Sequence, residues 1–306
     1  MSTLARRAGS REPLVVWLVL AFVCVEILVT YARLPARELY HVTGTGLSGG
    51  TSRLLVFLNY PTALIAIGVV GLVFRQLESA ALKAVAVIAV VLSAAVFWPG
   101  VVDQADLDAR PVNAIAAIGV GLALGLTVAA RRRAATVTAR LSGDGVRLGL
   151  AALLLLAAPP WLAADLGFFL DDVPLLGWLY RTGAPPHNDA GLAVVIPSVH
   201  HGHHHGMDGV LLVLSALLLS RVLPTIGGSL RALSAAYLSL MLAYGAGNIA
   251  NDFWLEQVVK RGWTGWEIPS VLEPRVEWAW GVITAGAAVT WWAWFRDEQP
   301  LELVSE

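Results

Sequence analysis

The sequence predicts an all-α integral membrane protein, a polytopic bundle of about eight transmembrane helices with both termini cytoplasmic. Three observations carry that prediction. Of 306 residues, 57% are hydrophobic and only 14% charged, where a soluble chain carries about 25% charged residues, and the mean hydropathy is +0.68. The apolar residues are gathered into runs close to the ~20 residues that a bilayer-crossing helix needs. Lys and Arg fall unevenly between the connecting segments, as the positive-inside rule requires.

Residues 1–12 are polar and basic, with Arg6, Arg7 and Arg11. The apolar run Pro13–Tyr31 is long for a signal-sequence core and contains Glu26, so it reads as an uncleaved first helix. Further spans are expected at 54–74, 80–99, 111–130, 147–164, 205–223, 230–250 and 276–295. Pro159 and Pro160 should break or kink the fifth near its outer end. No repeat or linker interrupts residues 13–296, which are expected to form one domain with long outer segments at 165–204 and 251–275. Residues 297–306 form an acidic cytoplasmic tail.

With the N-terminus inside, thirteen of the 21 Lys and Arg fall on the inner side, including the run Arg131–Arg133. Fourteen of the 22 acids fall outside, a surface that raises the local concentration of cations. The expected location is a plasma membrane of the bacterial inner-membrane type. A net charge of −1 points to no nucleic-acid partner, and the single Cys24 excludes an intrachain disulfide or a cysteine metal cage. Trp98, Trp161, Trp178, Trp254, Trp263, Trp266, Trp278 and Trp280 at outer ends, with Trp17, Trp291, Trp292 and Trp294 at inner ends, read as two aromatic belts.

The sixth span opens with a histidine-dense head: His200, His201, His203, His204 and His205, followed by Asp208. The apolar rod behind it, Val210–Leu219, broken only by Ser215, is too short to cross a bilayer alone. Its missing turns must come from the head. On a helix, His200, His204, Asp208, His201 and His205 fall within about 140° of one another, with His203 on the other side. Four imidazoles and a carboxylate on one face suit a transition metal, with Zn, Cu and Fe not distinguished by this pattern, and Asp208 can ligate or fix an imidazole tautomer. The competing reading is a solvated histidine loop that binds metal non-specifically or senses pH.

Other polar residues gather in the outer halves of the spans. Glu26, Asn59, Tyr60, Asn113 and Asp165 are among them, as is the series Tyr237, Tyr244, Asn248, Asp252 and Glu256 on the seventh helix. Intramembrane ionisable and amide groups mark functional sites by default, so Asp252, Glu256, Asn248 and Glu26 are candidate additional ligands or supporting groups, with His203. Each has a simpler reading. Asn59 can bond backbone freed by Pro61, Asn113 can cap a helix after Pro111, the tyrosines can pack, and Glu26 can sit protonated against a neighbouring helix. Asp103, Asp106 and Asp108 lack the glycine and distal glutamate of a calcium loop. The inner halves, such as Val69–Val73, Ile88–Val91 and Leu122–Val128, are plain packing sequence.

The spacing His200-x-x-His203-His204, repeated as His201-x-x-His204-His205, resembles one histidine box of the membrane fatty-acid desaturase and hydroxylase superfamily. That resemblance covers six residues. It implies a diiron centre built from about eight histidines in separated cytoplasmic boxes, whereas this chain has seven histidines and its head faces outward. The favoured expectation is a metalloenzyme acting on a lipid- or quinone-like substrate from the outer leaflet. The alternatives are a copper or zinc permease or delivery protein, and a non-catalytic assembly protein with a pH-sensing histidine cluster.

Overall fold

The computed structural model describes residues 11–33, 44, 46–98, 108–131, 140–159, 162–163, 166, 173–175, 177–180, 205–259, 261–272 and 274–297. These residues form an all-helical bundle. Helix α1 is Arg11–Arg33, with Glu12 in its first turn and Arg33 in its last, both favourable to the helix dipole. Its 23 residues give a length of about 35 Å, enough to cross the ~30 Å hydrocarbon core. Helices α2 (Gly46–Asn59) and α3 (Thr62–Val73) follow, then α4 (Ala80–Ser93), α5 (Asn113–Arg131) and α6 (Asp144–Ala157). The last three are α7 (His205–Ser220), α8 (Gly228–Trp254) and α9 (Trp278–Thr290). Both α8 and α9 run on into a π-helical turn, Leu255–Val259 and Trp291–Phe295.

Five helical segments are long and apolar enough to cross a membrane, and α2 with α3 makes a sixth if the bent pair is one span. Helix α6, at 14 residues, and the tryptophan-rich α9 are not among them. The exposed faces agree with a lipid-facing surface. Leu18, Phe22 and Val25 on α1, Leu148, Leu155 and Leu156 on α6, and Val282 and Val289 on α9 are all exposed, more large apolar side chains than a water-facing surface gathers. The opposite face of α1, with Val16, Leu20, Val23, Ile27 and Tyr31, is buried in the bundle.

Several sequence expectations shift in detail. The second span is not one rod: it begins at Gly46 and breaks at Tyr60–Pro61, a cis peptide, with a bend of 44° between its halves. Helix α6 ends at Ala157, directly before the Pro159–Pro160 pair. The seventh span runs helically to Val259 rather than stopping at residue 250, and it carries Asp252 and Glu256 on the helix where their spacing put them. Trp17 leaves the inner belt altogether. It is buried, and its Nε1 donates to Thr127 Oγ1 of α5 at 3.0 Å. A tryptophan indole in hydrocarbon needs an acceptor, and Thr127 supplies one.

One end of the bundle is closed by ionic and hydrogen-bonded contacts. Buried Arg147 of α6 donates to Leu217 O at 3.1 Å, to Ser220 Oγ at 2.9 Å and to Asp144 Oδ1 at 3.3 Å, and its guanidinium lies 5.1 Å from the Trp294 ring. Arg221 bridges Asp144 at 3.1 Å and Glu12 at 3.5 Å. Helices α1, α6, α7 and the end of α9 are thereby pinned together.

Helices α7 and α8 make the most extensive pairing in the bundle, and two glycines let their backbones touch. A Cβ at Gly209 would come within 2.6 Å of Gly245 O, and one at Gly245 within 2.8 Å of Gly209 O. Small residues of this kind drive helix association where lipid removes the hydrophobic contribution. Gly121 of α5 has nothing within 4 Å of such a Cβ. Gly245→Ala is therefore expected to destabilise by ~1–3 kcal/mol through overpacking, while Gly121→Ala is neutral or gains up to ~1 kcal/mol from helix propensity. Thermal unfolding of the two purified variants in one detergent checks the contrast. Equal melting temperatures would remove the crossing from the account.

Candidate functional site

The backbone contact between α7 and α8 fixes where the polar groups meet. Asp208 precedes Gly209, so it is carried against α8, where it is 4% exposed. On α8 the residues Tyr244, Asn248, Asp252 and Glu256 recur every four positions and all are buried. Each step of four turns the helix by about 40° beyond a full circle, so the four form one slowly drifting stripe. The π-helical turn carries the stripe on to Gln257, whose Oε1 accepts from Arg261 at 2.7 Å. Arg261 in turn lies 4.1 Å from the Trp178 ring and donates to Trp178 O. Partial burial there lowers the Arg261 pKa from its ordinary value.

Helix α2 supplies the opposing wall. Tyr60 Oη donates to Asn248 Oδ1 at 3.2 Å, and Asn248 Nδ2 donates to Tyr244 O at 2.9 Å. The Tyr60 ring meets Tyr244 edge-on at 6.1 Å, and Tyr244 stacks on Trp280 at 5.4 Å. The Tyr244 hydroxyl donates to Leu272 O at 2.9 Å. The Asp208 carboxylate lies within electrostatic range of the Tyr60 phenol. Asp208, Tyr60 and Asn248 thus converge from three helices.

The sequence candidates divide into three groups. His200, His201, His203 and His204 lie outside the described residues, and so do Asp165, Asp103 and Asp106. His205 opens α7, its side chain lying outside the described residues, with Asp208 one turn further into the same helix. Asp208, Asn248, Asp252 and Glu256 are described, buried and at one end of the α7–α8 pair. Glu26 is also buried, and the structure ties it to its own helix, where Thr30 Oγ1 donates to it at 2.9 Å. Among the described residues no group of three or more His, Cys, Asp or Glu is close enough to hold a metal ion.

Two polar residues from the sequence reading turn out to be structural. Asn59 Nδ2 donates to Leu55 O at 2.8 Å and to Asn113 O at 2.7 Å, so it joins α2 to α5. Asn113 Oδ1 accepts from Arg110 N at 2.7 Å and closes the turn before α5, a bond directed back to an amide ahead of the helix rather than the forward bond of an N-cap.

Other features were not visible in the sequence. Beneath Tyr244 a small apolar groove, with a cavity volume of about 50 Å³, is lined by Leu64, Phe97, Tyr237, Leu240, Met241, Tyr244, Leu272, Pro274 and Trp280. Phe97 and Leu240 are also exposed outward, so the groove opens on the flank of the bundle. Arg53 of α2 is 3% exposed. The sequence reading starts the second span at residue 54 and so leaves Arg53 in a loop. The signal that could have found it is its spacing of seven from Tyr60, which puts both on one helix face.

The Tyr60–Asn248 bond joins helices far apart in sequence and should be energetically coupled. Tyr60→Phe and Asn248→Ala are each expected to cost ~1–2 kcal/mol, with the double variant costing about 1 kcal/mol less than their sum. A double-mutant cycle by reversible denaturation in detergent checks this, and strict additivity would remove the bond from the stabilising set. No protein-family model matches the chain, no curated protein matches its sequence, and no solved structure matches its fold.

Proposed function

We propose that the chain is a multi-pass membrane metalloenzyme whose polar outer-end site acts on a lipid- or quinone-like substrate reaching it from the side. One observation supports this above the others. Tyr244 is at once a wall of the apolar groove and a member of the Tyr60–Asn248 cluster. An apolar molecule lying in the groove would have its end against that cluster, and small-molecule sites combine an apolar lining with a few convergent polar groups in this way. Trp280 stacks on Tyr244 from within the groove, and its Nε1 is buried without an acceptor among the described residues. It offers a hydrogen bond to a carbonyl or ester oxygen.

In this reading His200, His201, His204 and His205 hold a transition metal, with Asp208 ligating or orienting an imidazole. His203, Asp252, Glu256, Asn248 and Glu26 are available to complete or support the site. The metal, when bound, would polarise an oxygen or activate water. Tyr60 and Asn248 would fix the reacting end of the substrate, and the stacked Tyr244–Trp280 pair would exclude water from it. A permease needs a polar path onward, and the layer below Tyr60 argues against one. Ala63, Ile65, Ala66, Val69 and Leu72 are apolar and fully buried there.

The proposed topology has eight spans, counting α2 with α3 as one and adding α6 and α9, with both termini cytoplasmic and the histidine head outside. In a variant whose single native cysteine, Cys24, is replaced, a cysteine introduced at position 189 is expected to react with an impermeant reagent on intact cells. Reaction only after lysis would reverse the orientation.

Metal analysis tests the site. His204→Ala is expected to abolish stoichiometric metal after dialysis against a weak chelator, and His203→Ala to cost little. Asp208→Asn should weaken affinity ~10–100-fold if Asp208 orients an imidazole. Equal small losses across all five histidine variants would replace the site with a loose loop. Protein-dependent metal uptake into sealed vesicles would favour transport over catalysis.

A further inference from the structure

Two arginines are buried in this bundle to a similar degree, Arg53 at 3% and Arg147 at 5% exposure, and their surroundings differ in kind. Arg147 donates to a carbonyl, a hydroxyl and a carboxylate. Among the described residues no hydrogen bond or ion pair reaches Arg53, and its Nε is fully enclosed without an acceptor. Guanidinium does not shed its proton in proteins, so burial there is tolerated only when an anion accompanies it.

The direction of Arg53 follows from its neighbours on α2. Gly50, three residues before it, packs against Leu28 of α1. Ser52 Oγ accepts from Ala109 N, and Asn59 reaches Asn113 O, both at the start of α5. Arg53 falls between those two directions, with Tyr60, and so faces the bundle interior. Tyr60 pairs with Asn248, while Leu64 O accepts from Tyr237 Oη at 2.7 Å, so this span runs antiparallel to α8. Two turns separate Arg53 from Tyr60, about 10 Å along the axis. That places Arg53 on the level of Asp252 and Glu256, across the interior from the acidic stripe.

We propose that Arg53 is the anion-binding residue of the site, and that its ligand is an oxyanion of the phosphate type, carried by an amphiphile whose tail occupies the groove beneath Tyr244. The proposal rests on the outer-end site described above for its location. It assigns that site's substrate class: the buried guanidinium fork of Arg53 takes the oxyanion in bidentate fashion.

The test uses the purified full-length protein in neutral-lipid nanodiscs, with a single-chain alkyl phosphate and the alcohol of equal chain length as probes and inorganic phosphate as competitor. The wild type is expected to bind the alkyl phosphate about tenfold or more tighter than the alcohol. Arg53→Gln should bring the two affinities together, and Arg53→Lys should keep part of the difference, a point charge replacing the fork. Competition by inorganic phosphate would identify a site for the free anion, and its failure to compete a site for the lipid headgroup; either supports the assignment. A wild type that does not distinguish phosphate from alcohol overturns it, whether or not the Arg53 variants fold, as does an Arg53→Gln protein that still distinguishes them. Metal-to-protein ratios on the same samples separate the two claims. Normal metal without phosphate discrimination defeats the Arg53 assignment alone, and absent metal with Arg53-dependent discrimination defeats the metal reading alone.

Discussion

Backbone contact between α7 and α8 at Gly209 and Gly245 is the constraint on which the arrangement of polar groups depends. With carbonyl oxygens already at the limit of approach, neither helix can rotate or slide without a clash. Asp208 is therefore held against α8 at one height, and the four-residue stripe from Tyr244 to Glu256 is held in one orientation. Tyr60, at the break of the second span, reaches that stripe at Asn248.

The two ends of the bundle handle charge in opposite ways. At one end Arg147, Asp144, Arg221 and Glu12 satisfy one another, and Trp294 covers the guanidinium. At the other end carboxylates are buried along α8, and Arg53 is buried on α2 with its Nε lacking an acceptor among the described residues. Hydrocarbon offers no water to satisfy buried polar groups, so the saturated Arg147 network reads as structural.

The groove gives the proposed chemistry its direction. A site reached from the flank suits molecules dissolved in the bilayer, and its apolar lining places the selective polar contacts at one end, near Tyr244 and Trp280. The dry layer of Ala63, Ile65, Ala66 and Val69 below Tyr60 separates that end from the Arg147–Asp144 ionic cluster, and the proposed preference for catalysis over transport rests on that layer.

Composition and apolar run length alone determined that this chain is a helical membrane bundle, because a bilayer accepts few other solutions. The four-residue recurrence of Tyr244, Asn248, Asp252 and Glu256 was likewise legible, since helical period converts spacing directly into a shared face. Span limits set by hydropathy were less reliable. They cut the seventh helix at residue 250 and the second at residue 54, because polar residues that continue a helix look like loop on a hydropathy scale. That error hid Arg53, one residue outside the assumed span. Partner choice between distant elements was decided by the tertiary structure. No local pattern distinguishes Trp17, which bonds Thr127 inside the bundle, from a tryptophan of the interfacial belt, nor Arg147, saturated by Ser220 and Asp144, from Arg53. Those differences lie in which helices cross and how closely, and the sequence carries that only through small residues whose partners it does not name.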